Sequence, residues 1–396
     1  MPVINPRLTD TCSPPIPNAR RWTEAYDGRY GPLLNLSQAA PGTPPPQALL
    51  TALAAAAGDP RSSGYGPIRG EPDLIEAYAR HVADAYDTAI PPDTVAITAG
   101  CNEAFFISVI AVAKAGDAVF LPTPWYFNHA MTLNMLGIEV VPLPTRAEDG
   151  FVPRVDVARS ILAERTRSNR SVPKAVVLVT PNNPTGAVYG GDRIAAFAEF
   201  CASLDAWLIV DETYRDFHPH AASAPPHRLF AGAHRSRFIQ LYSFSKSYCI
   251  PGHRLGAMIV PPGQMGEIDK VLDSLQICPA RPGQIAVAPA IAGLRDWRRQ
   301  AAEDINRRAA FFSDVFRTMP GWRIDAIGAY FAYVAHPFQD VSDERVAEQL
   351  ARVRGMLVLP GSFFGAGAST HLRFAFANVD EARIAELPKR LEGFTP

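Results

Sequence analysis

The chain has 396 residues, 47% of them hydrophobic and 19% charged, with a formal net charge of −1. That is an ordinary globular balance, with length enough for two core-forming domains. Neither a basic block nor an acidic tail is present, which argues against nucleic acid and anionic membrane surfaces as partners, and no run approaches the ~18 apolar residues of a membrane span.

In chain order, the first 45 residues carry Pro14, Pro15, Pro17, Pro41 and Pro44 to Pro46 and read as an extended arm. From 46 to 275, short β-branched runs alternate with amphipathic helical stretches; the strand candidates are 94–98, 118–121, 175–180, 207–210, 238–241 and 257–260. Apolar on both faces and separated by helices, they predict a mostly parallel sheet covered by helices. A long Arg-rich helical stretch over 284–319 follows, then strand candidates at 322–324, 330–334, 356–359 and 372–376 around a helix over 344–354. Grouped strands with helices set aside predict a smaller α+β domain. The expected division is therefore a large α/β domain over 46–275 and a small domain made of the arm, 1–45, and the C-terminal part, 276–396. Five scattered cysteines, an odd number with no Cys-x-x-Cys pair, and no secretory leader pattern point to a cytoplasmic protein with reduced thiols.

Ligands collect at the carboxyl ends of strands in an open parallel sheet, so the residues after each run carry the chemistry. Gly100-Cys101-Asn102 follows the first run and opens a helix whose free N–H groups can cradle a phosphate; a plain capped helix has the same sequence. Asn183 follows the third run in a Pro-fixed turn. Asp211 ends the fourth, where a buried carboxylate needs a cationic partner unless it serves only as a helix cap. The fifth run leads into Ser243-Phe244-Ser245-Lys246, with Gly252-His253-Arg254-Leu255-Gly256 close behind. Of 38 basic residues only five are lysines. Lys114 precedes a glycine at a helix end, Lys174 precedes a strand, and Lys270 and Lys389 fall on polar faces. Lys246 alone has two hydroxyls and a guanidinium beside it that suit a phosphate. An amine so placed fits pyridoxal 5'-phosphate, whose aldehyde is carried on lysine as a Schiff base. His218-Pro219-His220 has two imidazoles but no further ligand spacing, so no metal site is expected and the stretch reads as a surface loop.

Taken together, Asn183-Pro184-Thr185-Gly186, Asp211-x-x-Tyr214, Ser243-x-Ser245-Lys246 and Gly252-x-Arg254-x-Gly256 resemble the fold-type I pyridoxal-phosphate aminotransferases of class I/II, the aspartate-aminotransferase-like group. The order matches from Tyr65-Gly66-Pro67-x-x-Gly70 to Leu372-Arg373. The resemblance implies a seven-stranded-type sheet in the large domain. It implies that Lys246 carries the cofactor, that Asp211 pairs with the pyridine nitrogen, that Asn183 and Tyr214 bond the ring hydroxyl and that Tyr126 stacks on the ring. Gly100, the backbone of Cys101 and Asn102, and Ser243, Ser245 and Arg254 would hold the phosphate. Arg373, with Asn183 and a backbone contact from Ala39, would bind the substrate α-carboxylate. Tyr65 would cross a two-fold interface to the phosphate of a partner in a homodimer; its local alternative is packing at a helix start.

The implied activity is transfer of an amino group from an L-amino acid to a 2-oxo acid by a ping-pong mechanism. A carbon-sulfur β-lyase would share the same residues. A non-catalytic effector-binding regulator would carry an added DNA-binding domain, for which a chain beginning at its arm leaves no room. Three departures from the family pattern stand out: Ile75 where an arginine is common, Cys101-Asn102 in the phosphate loop, and Asp273 with no arginine before Arg281 where dicarboxylate-specific relatives supply one in trans. With Trp22, Tyr30 and Phe364 able to approach the site, a neutral, aromatic or basic donor is expected in place of a dicarboxylate.

Overall fold

The computed structural model describes residues 2–218, 225–365 and 370–396; the expectation for Pro219 and His220 lies outside the described residues. Seven strands form one sheet: β1 (Val95–Thr98), β2 (Ala118–Thr123), β3 (Glu139–Pro144), β4 (Ala175–Val179), β5 (Trp207–Asp211), β6 (Phe238–Ser243) and β7 (Gly256–Ile259). Their spatial order is β1-β7-β6-β5-β4-β2-β3, with β7 antiparallel to both neighbours and every other pairing parallel. Six of the seven were legible as apolar runs. β3 was not, because Pro142 and Pro144 interrupt it; it lies at the sheet edge, where a missing N–H forfeits no ladder bond. Alternate residues of β4 enter two different cores, Val176 and Leu178 on one face and Ala175 and Val177 on the other, as the two-residue period of a strand requires.

The arm is not extended throughout. Prolines at the start of a helix keep their missing N–H among the groups that would be unpaired anyway, and α1 (Pro15–Arg20) begins in that way. Leu34 and Asn35 then pair in parallel with Met356 and Leu357, which ties the arm to the C-terminal part. α2 (Pro72–Tyr86) buries Leu74, Tyr78, Ala79, Val82 and Tyr86 along one face and ends at Asp87 in a left-handed conformation, φ 49°. Full burial of side chains such as Leu74 and Val82 contributes roughly 1.5–3 kcal/mol each. α3 (Cys101–Val112) starts directly after β1, and α4 (Phe127–Met135) directly after the loop that leaves β2.

The single helical stretch expected over 284–319 is two helices, α5 (Arg281–Gly293) and α6 (Arg295–Arg317). Gly293 has a low helix propensity, and Leu294 (φ −110°, ψ 20°) both ends the first helix and begins the second. α5 packs Ala286, Val287 and Ile291 into the core shared with α2 and the seven-stranded sheet. α6 carries Phe312 and Phe316 onto Phe374 of a second, antiparallel sheet, at ring separations of 5.7 and 5.4 Å. That sheet consists of β8 (Arg323–Gly328), β9 (Phe331–Ala335), β10 (Leu359–Pro360) and β11 (His371–Ala375), in the order β10-β11-β9-β8. Arg373 stands opposite Tyr333 of β9 and Leu359 of β10.

Candidate active site

The carboxyl ends of β1, β4, β5 and β6 lie side by side, because Asp211 is in register with Val179 on one flank and Leu241 on the other, while Gly256 pairs with both Ser243 and Thr98. Gly256 has to be glycine: a Cβ there would stand 2.6 Å from the carbonyl carbon of Gly100. Gly100 itself has φ 90°, and a Cβ on it would come within 2.3 Å of an Arg254 terminal nitrogen. This close approach brings the guanidinium against the opening of α3, whose first turn has no side-chain cap. Two buried hydroxyls, Ser243 and Ser245, line the same cavity with Arg254. A hollow walled by a cation, two hydroxyls and the free N–H groups of a helix start fits a phosphate dianion.

The cavity has a volume of about 280 Å³ and brings Lys246, Asp211, Tyr214, Asn183, Tyr126, Cys101, Asn102, Ala39 and Arg373 to one surface. Lys246 sits in a single helical turn, Phe244–Ser247, at the end of β6. Burial, reinforced by the charges of Arg254 and Arg373, draws its amine down to about 8. Its Nζ donates to the Ala39 carbonyl of the arm. The backbone contact expected from Ala39 to a substrate is thus directed at the lysine, because the arm folds over the amine.

Asp211 is buried, which by itself pushes its carboxyl up; His129 and the Thr213 N–H outweigh this and hold it below the usual range. His129 Nε2 lies 3.3 Å from one carboxylate oxygen, and the Thr213 N–H donates to the other at 3.0 Å. The Cys101 thiol, kept protonated by burial, is 3.5 Å from that second oxygen. His129 stacks on Phe105 at 3.9 Å and meets the Tyr126 ring edge-on at 5.2 Å. Sequence reasoning missed His129. Its signal was its place one helical turn beyond Tyr126 at the start of α4, which puts both rings on one face.

Arg373 is buried with its guanidinium between Phe331 (5.1 Å) and Phe364 (4.9 Å). It donates to Asn183 Oδ1 at 3.0 Å and to the Ser37 carbonyl, while its Nε has no partner among the described residues. Burial lowers it to about 10. Tyr214 is buried against Tyr330 and Phe331, and burial raises its phenol well above the ordinary value. Burial likewise raises Tyr126, to about 12.

Tyr65, expected to serve a partner's site, is 81% exposed and outside this chain's cavity. Two residues expected to approach this cavity lie elsewhere. Tyr30 is turned away from it, donated to by Arg354 NH1 and lying under that guanidinium at 4.7 Å. Trp22 packs 6.0 Å from Phe363, behind the cavity wall.

The profile of the family described as aminotransferase class I and II matches residues 32–391. The chain is 29% identical to a valine–pyruvate aminotransferase of Mycobacterium tuberculosis, over 95% of both chains. It is 27% identical to an aromatic aminotransferase of Arabidopsis thaliana, over 90% of this chain and 88% of that one. Among solved structures, substrate-bound BacF of Bacillus subtilis superimposes with a TM-score of 0.88 at 23% identity, covering 99% of this chain and 97% of the other. Aspartate aminotransferase of Thermus thermophilus with maleate gives 0.87 at 23% identity, covering 98% and 99%. At these identities the structural likeness speaks for the fold.

Proposed function

The chain belongs to the class I and II aminotransferases, pyridoxal-phosphate-dependent transaminases that move an amino group from an amino acid to a 2-oxo acid, and from that premise we propose a role for each residue of the cavity. The cofactor, when bound, supplies an electron sink that acidifies the substrate Cα–H bond. Lys246 would hold it, and the same amine is placed to take the substrate Cα proton and return it within the one pocket. An amine drawn down to about 8 is neutral in a useful fraction near physiological pH, as a general base must be. Asp211 keeps its negative charge, braced by His129 and the Thr213 N–H, and so holds a positive charge at the ring nitrogen. Asn183 and Tyr214 would bond the ring hydroxyl, and Tyr126 would offer its face to the ring. Gly100, Cys101 and Asn102 offer backbone to the phosphate beside Ser243, Ser245 and Arg254. Arg373 forks onto the substrate α-carboxylate, held in plane by Phe331, Phe364 and Asn183.

What carries this reading is one convergence: a half-buried lysine, a buried carboxylate kept ionised and a buried guanidinium whose Nε has no partner among the described residues line one cavity. Borohydride reduction followed by peptide mapping tests it. We expect the cofactor fixed on Lys246; a label on any of the other four lysines overturns the assignment.

We also propose that the enzyme works as a homodimer, with Tyr65 reaching the partner's phosphate. In support, Leu50, Tyr65, Ile68, Leu275, Ile277 and Ile285 are exposed apolar side chains, which a self-complementary interface would cover. For the domain division we propose 46–275 against 1–45 with 276–396, moved at one point: α5 packs into the larger core, so the boundary falls near Leu294. Among the described residues no helix is long and apolar enough to cross a membrane. A cytoplasmic location is proposed on the free state of all five cysteines.

A further inference from the structure

The roles given above leave unused a group of charged side chains packed beside the ends of β5 and β6. At its centre is Asp216, whose carboxylate faces Arg215 Nε at 3.5 Å, Arg298 NH1 of α6 at 3.5 Å and His81 Nε2 of α2 at 3.8 Å. Glu212 lies 3.9 Å from Arg215, so two carboxylates balance two guanidiniums. Burial by itself would push the Asp216 carboxyl up; His81, Arg215 and Arg298 outweigh it and hold the carboxyl well below the usual range. None of these residues lines the cavity.

One hydroxyl leads from this group towards the site. Tyr242 of β6 is buried with its ring under the Arg215 guanidinium at 4.6 Å. Its hydroxyl donates to Asp216 Oδ2 at 2.7 Å and lies 3.2 Å from Ser247 Oγ. A phenol has one hydrogen, which the carboxylate takes as the charged acceptor, so the Ser247 hydroxyl is the donor of the second bond.

Ser247 directly follows Lys246 in the turn Phe244–Ser247. Successive side chains of a helical turn point about 100° apart, so Lys246 reaches the cavity while Ser247, 3% exposed, enters the interior. A turn of four residues is not stable alone, and this one borrows nothing from a longer helix, because Cys249 is left-handed at φ 56°. The side-chain bonds to the turn's backbone are longer than the Ser247 link: 3.3 Å from the Ser245 N–H to Ser243 Oγ, 3.5 Å from the Tyr330 hydroxyl to the Lys246 carbonyl and 3.9 Å from the Cys249 thiol to the same carbonyl.

We propose that Tyr242 is a positioning residue for the Lys246 amine: anchored on Asp216, its hydroxyl holds Ser247 and with it the turn that aims Lys246 into the cavity. The proposal rests on the reading of Lys246 as the cofactor lysine. Without the link the turn loosens, water reaches the amine, and the burial that draws it down to about 8 is relaxed.

The test reads the amine in cofactor-free protein, where turnover plays no part. Reductive methylation by formaldehyde is followed at Lys246 by peptide mapping as the pH is varied. Tyr242→Phe keeps the ring and removes the hydroxyl, and Ser247→Ala removes the other end of the link. In each, the pH at which reactivity levels off should rise from about 8 by about 0.5 pH unit or more, towards that of an exposed lysine. Cofactor affinity should fall about tenfold, the loss of one buried hydrogen bond. Arg254, Arg373 and Cys249, whose charges act on the amine, are the same in every variant. Because the two hydroxyls act in one chain, the double variant should move the plateau no further than the larger single change. Asp216→Leu strips two buried guanidiniums of a partner and should fold poorly, so the hydroxyl variants carry the test. A purely structural Tyr242 would lower the denaturation midpoint and leave the Lys246 profile where it was; that result in both single variants, or shifts that add in the double variant, overturns the proposal. The reading beneath it fails differently: borohydride fixing the cofactor on another lysine of the wild type removes Lys246 as the cofactor lysine, and the role of Tyr242 with it.

Discussion

Replacing Arg373 by leucine should separate activity from stability. The guanidinium is buried, and its fall from an ordinary value near 12.5 to about 10 corresponds to roughly 3 kcal/mol of burial penalty on the charged form, at about 1.4 kcal/mol per pH unit. Because the folded-state value lies below the unfolded one, that penalty is fully present at neutral pH and fades only as the pH rises past 10. Leucine removes the penalty. It also leaves Ser37 O and Asn183 Oδ1 without their donor, at about 1–3 kcal/mol each, so the two effects nearly offset and folding stability should change by no more than about 2 kcal/mol. Substrate binding has no such compensation. The α-carboxylate loses a buried ionic partner, worth about 2–5 kcal/mol, or roughly 30- to 4,000-fold in kcat/KM at about 1.4 kcal/mol per tenfold. The loss should be the same for every α-amino acid, since the α-carboxylate is common to all. Single-turnover kinetics over a donor panel, with chemical denaturation of the same preparations, measures both quantities. A loss confined to one donor class would refute the assignment, as would a large loss of stability with kcat/KM per folded molecule intact.

Two further outcomes are expected. In His129→Leu the Asp211 carboxyl keeps its burial and loses its imidazole neighbour, so it should rise above the usual range and cofactor affinity should drop about tenfold or more; carbon NMR of the carboxyl together with a cofactor titration checks this, and unchanged values in both would refute the bracing role. The reactivity of the cofactor-free Lys246 amine towards aldehydes should climb with pH and level off above about 8, where an ordinary lysine would still be rising. The unfolded chain still binds the proton that the folded amine has lost between about 8 and 10.5, so stability should increase with pH across that window; a plateau in reactivity only near 10.5 would refute the enclosed site.

The lysine and the carboxylate of this site were legible in the sequence because each follows from a local rule, whereas Arg373 was marked only by the family resemblance. An apolar run that ends in a polar residue is a strand delivering a side chain to the sheet's carboxyl edge, and among five lysines only Lys246 has hydroxyls and an arginine in reach. Six of seven strands in the large sheet were readable for the same reason, whereas β3 was hidden by its prolines. What packing alone decided are the partnerships between residues far apart in the chain. Lys246 meets the Ala39 carbonyl across 207 positions, Arg373 meets Asn183 across 190, and Arg281 meets Glu71 across 210. His129 came to Asp211 because α4 lays its first turn along the strand ends, and Tyr30 left the site because Arg354 claimed it. Periodicity tells which face of an element is buried, but two faces 200 residues apart carry no mark in the sequence of which will touch. That choice belongs to the tertiary structure, which selects the one arrangement that buries both apolar faces while pairing the charges between them.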